Sequence, residues 1–195
     1  SSLISYMLEK YPDMMIVANS KTVPMLKGYY DVPEDKVHVV AEGGELSLGG
    51  CSLKFYMVPM VHWPETMVTW LEEENTVFSG DAFGTFGAVP GSIVDEEGTL
   101  MEFKDEMIRY YSNIVGKYGV PVQAALKKLS GLPVERICST HGPVWQTCLD
   151  DVVALYDKMS RYEVERGVCI VYGSMYGNTA AAADALAMEL EKLGI

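Results

Sequence analysis

Apolar residues recur along this chain with two different periods, and the alternation between them outlines the elements. Leu3, Ile4, Met7 and Leu8 are spaced as on one helical face, which predicts a helix over 3–10. Met14 to Ala18 is a short continuous apolar run that ends at Asn19-Ser20 and reads as a buried strand. Thr22 to Tyr29 reads as a second helix, and Val37 to Val40 as a strand. Glycine pairs at Gly43-Gly44 and Gly49-Gly50 mark turns. Leu53, Phe55 and Met57 then alternate with Lys54 and Tyr56, predicting a strand that runs on to Val61. Met67 to Leu71 and Thr76 to Ser79 are further strand signals, separated by the acidic turn Glu72-Glu73-Glu74-Asn75.

Residues 82–101 break the pattern with Gly84, Gly87, Gly91 and Gly98, and a loop of this length usually serves a function. Helical spacing returns over 102–116 and 120–130. Val134 to Ser139 reads as a strand, Leu149 to Tyr162 as a helix, Val168 to Tyr172 as a strand and Thr179 to Leu193 as an alanine-rich helix. A strand-rich first part thus yields to helix–strand alternation, which is an α/β pattern. The charged stretch Arg161–Gly167 is the expected boundary between two parts.

Composition narrows the classes. With 49% apolar residues over 195 positions the chain can bury a sizeable core, which argues against disorder. The 27 acids against 15 bases give a net charge of −12, a poor match to a phosphate backbone. No apolar run approaches the ~20 residues of a membrane span, and the start shows no signal-peptide pattern, so a cytoplasmic location is expected. Cys51, Cys138, Cys148 and Cys169 form no C-x-x-C pair, which predicts reduced thiols and no cysteine zinc site. Ser1 opens directly onto a helical pattern and Gly194 reads as a helix C-cap, so both ends are expected to be cuts in a longer protein.

Strand directions bring three residues to one edge. If the strands ending at Val61, starting at Met67 and starting at Thr76 are antiparallel neighbours, His62 and Asp81 emerge together. His141 also follows a strand end. Two imidazoles and a carboxylate at one edge suit a metal site, with aspartate able to bridge two cations. Each also has a plainer reading: the histidines as hydrogen-bonded surface or core residues, Asp81 as a turn cap after Ser79-Gly80. His38 lies within a strand and has no companion motif.

A second chemistry-bearing segment is Gly173-Ser174-Met175-Tyr176-Gly177-Asn178-Thr179, between a strand signal and a helix. A helix N-terminus offers unpaired N–H groups, glycines let amides curl around an anion, and Ser174, Asn178 and Thr179 add side-chain donors. The loop has no lysine and no G-x-G-x-x-G, so it is neither a Walker A loop nor a dinucleotide fingerprint. Neutral donors suit the single phosphate of a mononucleotide such as FMN. An ordinary capped strand–helix turn is the alternative.

Four stretches taken together are more specific than any one. They are His62-Trp63-Pro64-Glu65-Thr66-Met67, Ser79-Gly80-Asp81-Ala82-Phe83-Gly84, Thr140-His141-Gly142-Pro143-Val144-Trp145, and Gly173 through Thr179. In this order the chain resembles the flavodiiron proteins along its whole length. The resemblance implies the C-terminal part of a metallo-β-lactamase-like αββα sandwich over 1–163. The first strand, loop and helix of a flavodoxin-like domain would follow over 167–195. It implies an oxidoreductase that reduces O₂ to water or NO to N₂O at a non-haem diiron site fed by FMN. His62 and His141 would each bind one iron and Asp81 would bridge them. Ser174, Met175, Tyr176, Gly177, Asn178 and Thr179 would hold the FMN phosphate. The electron donor would be rubredoxin or a flavin reductase. A head-to-tail homodimer would set one subunit's FMN beside the other's irons. Trp63, Trp145 and the 82–101 loop would shape the pocket, with core packing the plainer role for the tryptophans.

One departure is large. The family's other ligands come from an H-x-E-x-D-H motif that does not occur here. The expectation is therefore that this stretch alone is inactive, colourless and holds well under one iron. The rival readings are a zinc-dependent hydrolase of the same fold, an FMN electron-transfer module without metal catalysis, and a metal-free structural relative.

Overall fold

A computed structural model describes residues 3–195; the expected cut at Ser1-Ser2 lies outside the described residues. The chain divides into two compact units, Ser1–Tyr162 and Glu163–Ile195. In the first unit, helix α1 (Ile4–Lys10) leads to β1 (Ile16–Asn19), α2 (Val23–Tyr30) and β2 (Val37–Val40). β1 and β2 pair in parallel from Ile16↔Val37 to Asn19↔Val40. A parallel pair needs a crossover, and α2 supplies it. Ala18, Leu26 and Val32 form the small core beneath, with Ile4 and Leu8 of α1 packed against it.

The main sheet has six strands in chain order: β3 (Glu45–Ser47), β4 (Ser52–Met57), β5 (Met67–Leu71), β6 (Thr76–Gly80), β7 (Arg136–Ser139) and β8 (Val144–Trp145). Every neighbouring pair is antiparallel except β6 and β7, which run parallel. The connection between those two carries α3 (Thr99–Ile114) and α4 (Gly119–Leu129), and α5 (Leu149–Ser160) follows β8.

The register explains how the two faces differ. Trp70, Val77, Ile137 and Trp145 lie in one row across four strands. All four are buried in a core with Phe103, Met107, Tyr111 and Val115 of the α3 region, Val122 and Ala125 of α4, and Val152 and Tyr156 of α5. The neighbouring row, Thr69, Phe78, Cys138 and Val144, points to the opposite face, where Phe78 is 44% exposed. Strict alternation along each strand makes this division.

Several boundaries differ from the sequence expectation. β4 stops at Met57 instead of running to Val61, because Pro59 cannot donate to a ladder and the chain turns there. β3 and β8 were not expected; at three and two residues they are too short to show a period and exist through pairing with β4 and β7. In the second unit, helix α6 (Asn178–Lys192) forms as expected, but Val168 to Tyr172 pairs with nothing among the described residues and is no strand. A strand is defined by its ladder, and no neighbouring segment offers one. No helix among the described residues is long and apolar enough to cross a membrane. The four cysteines are free, as expected from their spacing.

Candidate functional site

Topology sets three exits side by side. β4 runs to Met57, β5 returns, and β6 runs out again, so the bend after β4 and the turn after β6 share an edge. Because β7 is parallel to β6, its own exit lies at that edge too. Thr140 N–H donates to Gly80 O at 2.8 Å and Ser139 Oγ donates to the same oxygen at 3.2 Å, fastening the two exits together.

His62 sits in the bend over 58–66, closed by Val58 N–H to Thr66 O at 3.0 Å and Met60 N–H to Trp63 O at 2.7 Å. Asn19, buried at the end of β1, holds this bend from outside: its amide donates to Glu65 O at 2.6 Å. The same side chain accepts the N–H groups of Lys21 and Thr22 at the start of α2, at 3.0 and 3.2 Å. Local sequence gives no sign that Asn19 reaches 46 residues ahead.

The three expected residues come together around one carboxylate. His62 Nε2 lies 3.0 Å from Asp81 Oδ2, and His141 Nε2 lies 3.7 Å from Asp81 Oδ1. Each oxygen thus faces a different imidazole. Side-chain exposure rises from 19% at His62 to 33% at Asp81 and 56% at His141, so the cluster opens to solvent on the His141 side. Two donors each ~2.1 Å from one metal stand ~3.0 Å apart at a right angle and ~3.7 Å apart at a wider one. Both spacings therefore suit a carboxylate shared between two cations. Three donors are few for two cations, however, and no group of three or more His, Cys, Asp or Glu among the described residues is gathered tightly enough to hold a metal by itself. His38 stays apart in β2, as expected.

Behind the cluster stands Tyr110 of α3, 4% exposed, its ring centroid 5.8 Å from that of His141. Burial, and then the negative charge of Asp81, push its phenol up to about 12, so it stays a neutral hydrogen-bonding group at ordinary pH. Gly84 permits this approach. A Cβ there would stand 3.0 Å from the Tyr110 ring and 3.0 Å from Asp81 O. Gly142, at φ +87°, packs equally close: a Cβ would meet Thr85 Cγ2 at 2.9 Å. The tryptophans divide. Trp145 is fully buried and donates to Phe83 O at 2.9 Å, a core residue. Trp63 is 56% exposed, its ring 5.7 Å from that of His62.

In the second unit, exposed residues 173–177, bent over 175–177, enter α6 at Asn178. Gly177, at φ +82°, precedes the helix, and its carbonyl accepts the Ala181 N–H at 2.9 Å. Among the described residues no side chain caps the helix, and Ser174, Asn178 and Thr179 are exposed. A Cβ at Gly173 or Gly177 would meet nothing within 4 Å. The bend has the donors and the room for a phosphate.

Comparisons with known proteins place the chain in a family. The family model described as ODP family beta lactamase matches residues 1–142. The chain belongs to the ODP beta-lactamase family. This ODP chain is 32% identical over 187 residues to the anaerobic nitric oxide reductase flavorubredoxin of Escherichia coli, covering 94% of itself and 39% of that protein. Among solved structures it matches rubredoxin oxygen:oxidoreductase from Desulfovibrio gigas with a TM-score of 0.92 at 27% identity, over 99% of this chain and 49% of that one. The flavodiiron protein from Giardia intestinalis matches with a TM-score of 0.92 at 28% identity, over 100% of this chain and 47% of that one. The flavodiiron likeness and the metallo-β-lactamase-like fold expected from the four motifs are borne out. The ODP chain spans under half the length of these relatives.

Two residues packed at the edge escaped the sequence reading: Asn19 and Tyr110. Each acts across 30 residues or more, and neither spacing nor local motif announces such a contact.

Proposed function

We propose that this ODP chain is part of a flavodiiron oxidoreductase that reduces O₂ to water or NO to N₂O at an iron pair supplied with electrons by FMN. The observation that carries the reading is the Asp81 carboxylate with one oxygen toward each of His62 and His141. The relatives' names, a nitric oxide reductase and a rubredoxin oxygen:oxidoreductase, support the substrates and point to rubredoxin as a donor. A flavin reductase and a head-to-tail homodimer remain part of the proposal, as do a diiron domain over 1–163 and an FMN domain beginning at 167. A cytoplasmic location also belongs to it.

In this reading His62 would hold one iron, His141 the other, and Asp81 would fix their separation. When bound, an iron pair would supply one-electron chemistry toward a diatomic, with FMN as the electron source. What the chain itself contributes is placement. The common edge of β4, β6 and β7 sets the donors, and buried Tyr110 backs His141. The more exposed His141 side leaves a way in for small molecules. In the second unit, Ser174, Met175, Tyr176, Gly177, Asn178 and Thr179 would cradle the FMN phosphate, a role that the uncapped start of α6 supports.

Elemental analysis and a visible spectrum of the full-length protein test this. An iron pair and one FMN per chain are the expected result. Zinc without flavin would overturn it in favour of a hydrolase. Asp81→Asn in the full-length protein removes the charge shared by both positions and is expected to weaken retention of both metals by about tenfold or more. Unchanged metal content would end the bridging role.

A further inference from the structure

Asp95 is a buried carboxylate, 4% exposed, and it belongs to no ion pair among the described residues. Such a group is costly to bury unless its oxygens are fully engaged. They are. Oδ1 accepts Gln146 N–H at 2.7 Å and Thr147 N–H at 2.9 Å, and Oδ2 accepts Cys148 N–H at 2.6 Å. The last of these amides belongs to the residue that caps α5. Further bonds between the same segments add to the grip. Thr147 Oγ1 donates to Asp95 O at 3.1 Å, Asp95 N–H to Val144 O at 3.0 Å, and Val144 N–H to Ile93 O at 2.7 Å.

These bonds join two segments that both serve the candidate metal edge. One is the 82–101 loop, which leaves the sheet directly after Asp81. The other is β8 with the 146–148 turn that follows it, continuous with the β7–β8 connection that carries His141. They touch again close to His141 itself, where Thr85 N–H donates to His141 O at 3.3 Å and Gly142 packs on Thr85. The loop is therefore stitched to the hairpin at both of its ends, and Asp95 is the charged stitch.

We propose that Asp95 is a positioning residue for His141: by holding residues 144–148 against the 82–101 loop, its carboxylate fixes the hairpin from which the imidazole faces Asp81. His62 is held by a separate device, the Asn19 amide on Glu65 O, so loss of Asp95 acts on one side of the shared carboxylate only. The inference rests on the metal-site reading above. Its function is placement, and it touches no reacting group.

The test uses the full-length protein, metal-free, titrated with Co(II) and followed by the absorption of the bound ion. Asp95→Asn keeps the shape and one acceptor but loses the charge. It is expected to weaken, by about tenfold, the binding step that His141→Ala abolishes, while the other step stays within about twofold. In the His141→Ala background, Asp95→Asn is expected to add nothing, since it acts through that imidazole. Weakening of both steps alike, or of neither, would overturn the proposal. A metal-free readout separates the two readings. The Thr85 amide is expected to exchange with solvent about tenfold faster in Asp95→Asn, with the Val77 amide of the sheet centre unchanged. Unchanged Thr85 exchange sinks the role of Asp95 by itself. A wild-type protein that takes up no metal sinks the metal-site reading instead.

Discussion

Single residues decide the edge where His62, Asp81 and His141 meet, and they do so through size and backbone freedom as much as through charge. Gly142 follows His141 with φ +87°, and a Cβ would press on Thr85 at 2.9 Å. Gly142→Ala is therefore expected to cost about 1–3 kcal/mol through strain and overpacking, read as a shift of the denaturant midpoint without a change in slope. The buried tyrosines make a second prediction. Tyr111 is 3% exposed, its hydroxyl has no hydrogen-bond partner among the described residues, and burial pushes its phenol up to about 12. Its neutral form is favoured in the folded state, so this contribution to stability is whole below pH ~10 and is lost as pH rises toward 12. An alkaline titration should show the phenolate absorbance of Tyr111 appearing together with unfolding, and Tyr111→Phe should move that unfolding to higher pH. Ionisation of Tyr111 near pH 10 in the folded protein would contradict this.

Elements translate those residues into a shared edge. The parallel step from β6 to β7 is the decisive one: it places the turn after Asp81 and the turn before His141 at the same end of the sheet. A parallel neighbour requires the long connection that α3 and α4 fill, and both helices pack on the row of Trp70, Val77, Ile137 and Trp145. Met107 of α3 is fully buried in that layer. Met107→Ala is expected to destabilise the first unit by about 2–5 kcal/mol, measured by thermal or denaturant unfolding, because the cavity cannot be filled from either side. Trp145→Phe removes the donor to buried Phe83 O and should cost about 1–3 kcal/mol in the same assay. These elements were legible from the sequence where their period was sustained, as in α3, α5 and β5. They were missed where pairing alone creates them, as in β3 and β8.

At the scale of the whole molecule, no group of three or more metal-binding side chains gathers among the described residues, and the chain spans under half the length of its relatives. In the proposed iron pair, three side chains shared between two cations would leave most coordination positions to other donors. The 195-residue chain purified alone is therefore expected to hold well under one iron and to be colourless. Stoichiometric iron with a yellow chromophore in this chain would overturn that expectation. The acidic balance of −12 belongs to the same scale: it makes a basic or neutral partner surface easier to approach than an acidic one, increasingly so at low salt.

The sequence by itself determined the alternation of strands and helices, the three polar residues at strand exits and the glycine-bounded bend before α6. All of these are local: a period, a proline or glycine, a residue type at the end of a run. It could also carry the family likeness, because motifs in a fixed order survive without coordinates. Only the tertiary structure decided which oxygen of Asp81 faces which imidazole, and that β4 ends at Met57 so that His62 lies in a bend tied to Asn19. It alone revealed Asp95 gripping amides more than 50 residues away. Those facts depend on which distant backbone groups need a partner once the sheet has formed. A buried N–H or carboxylate is satisfied by whatever the fold brings within reach, and no local pattern encodes that choice.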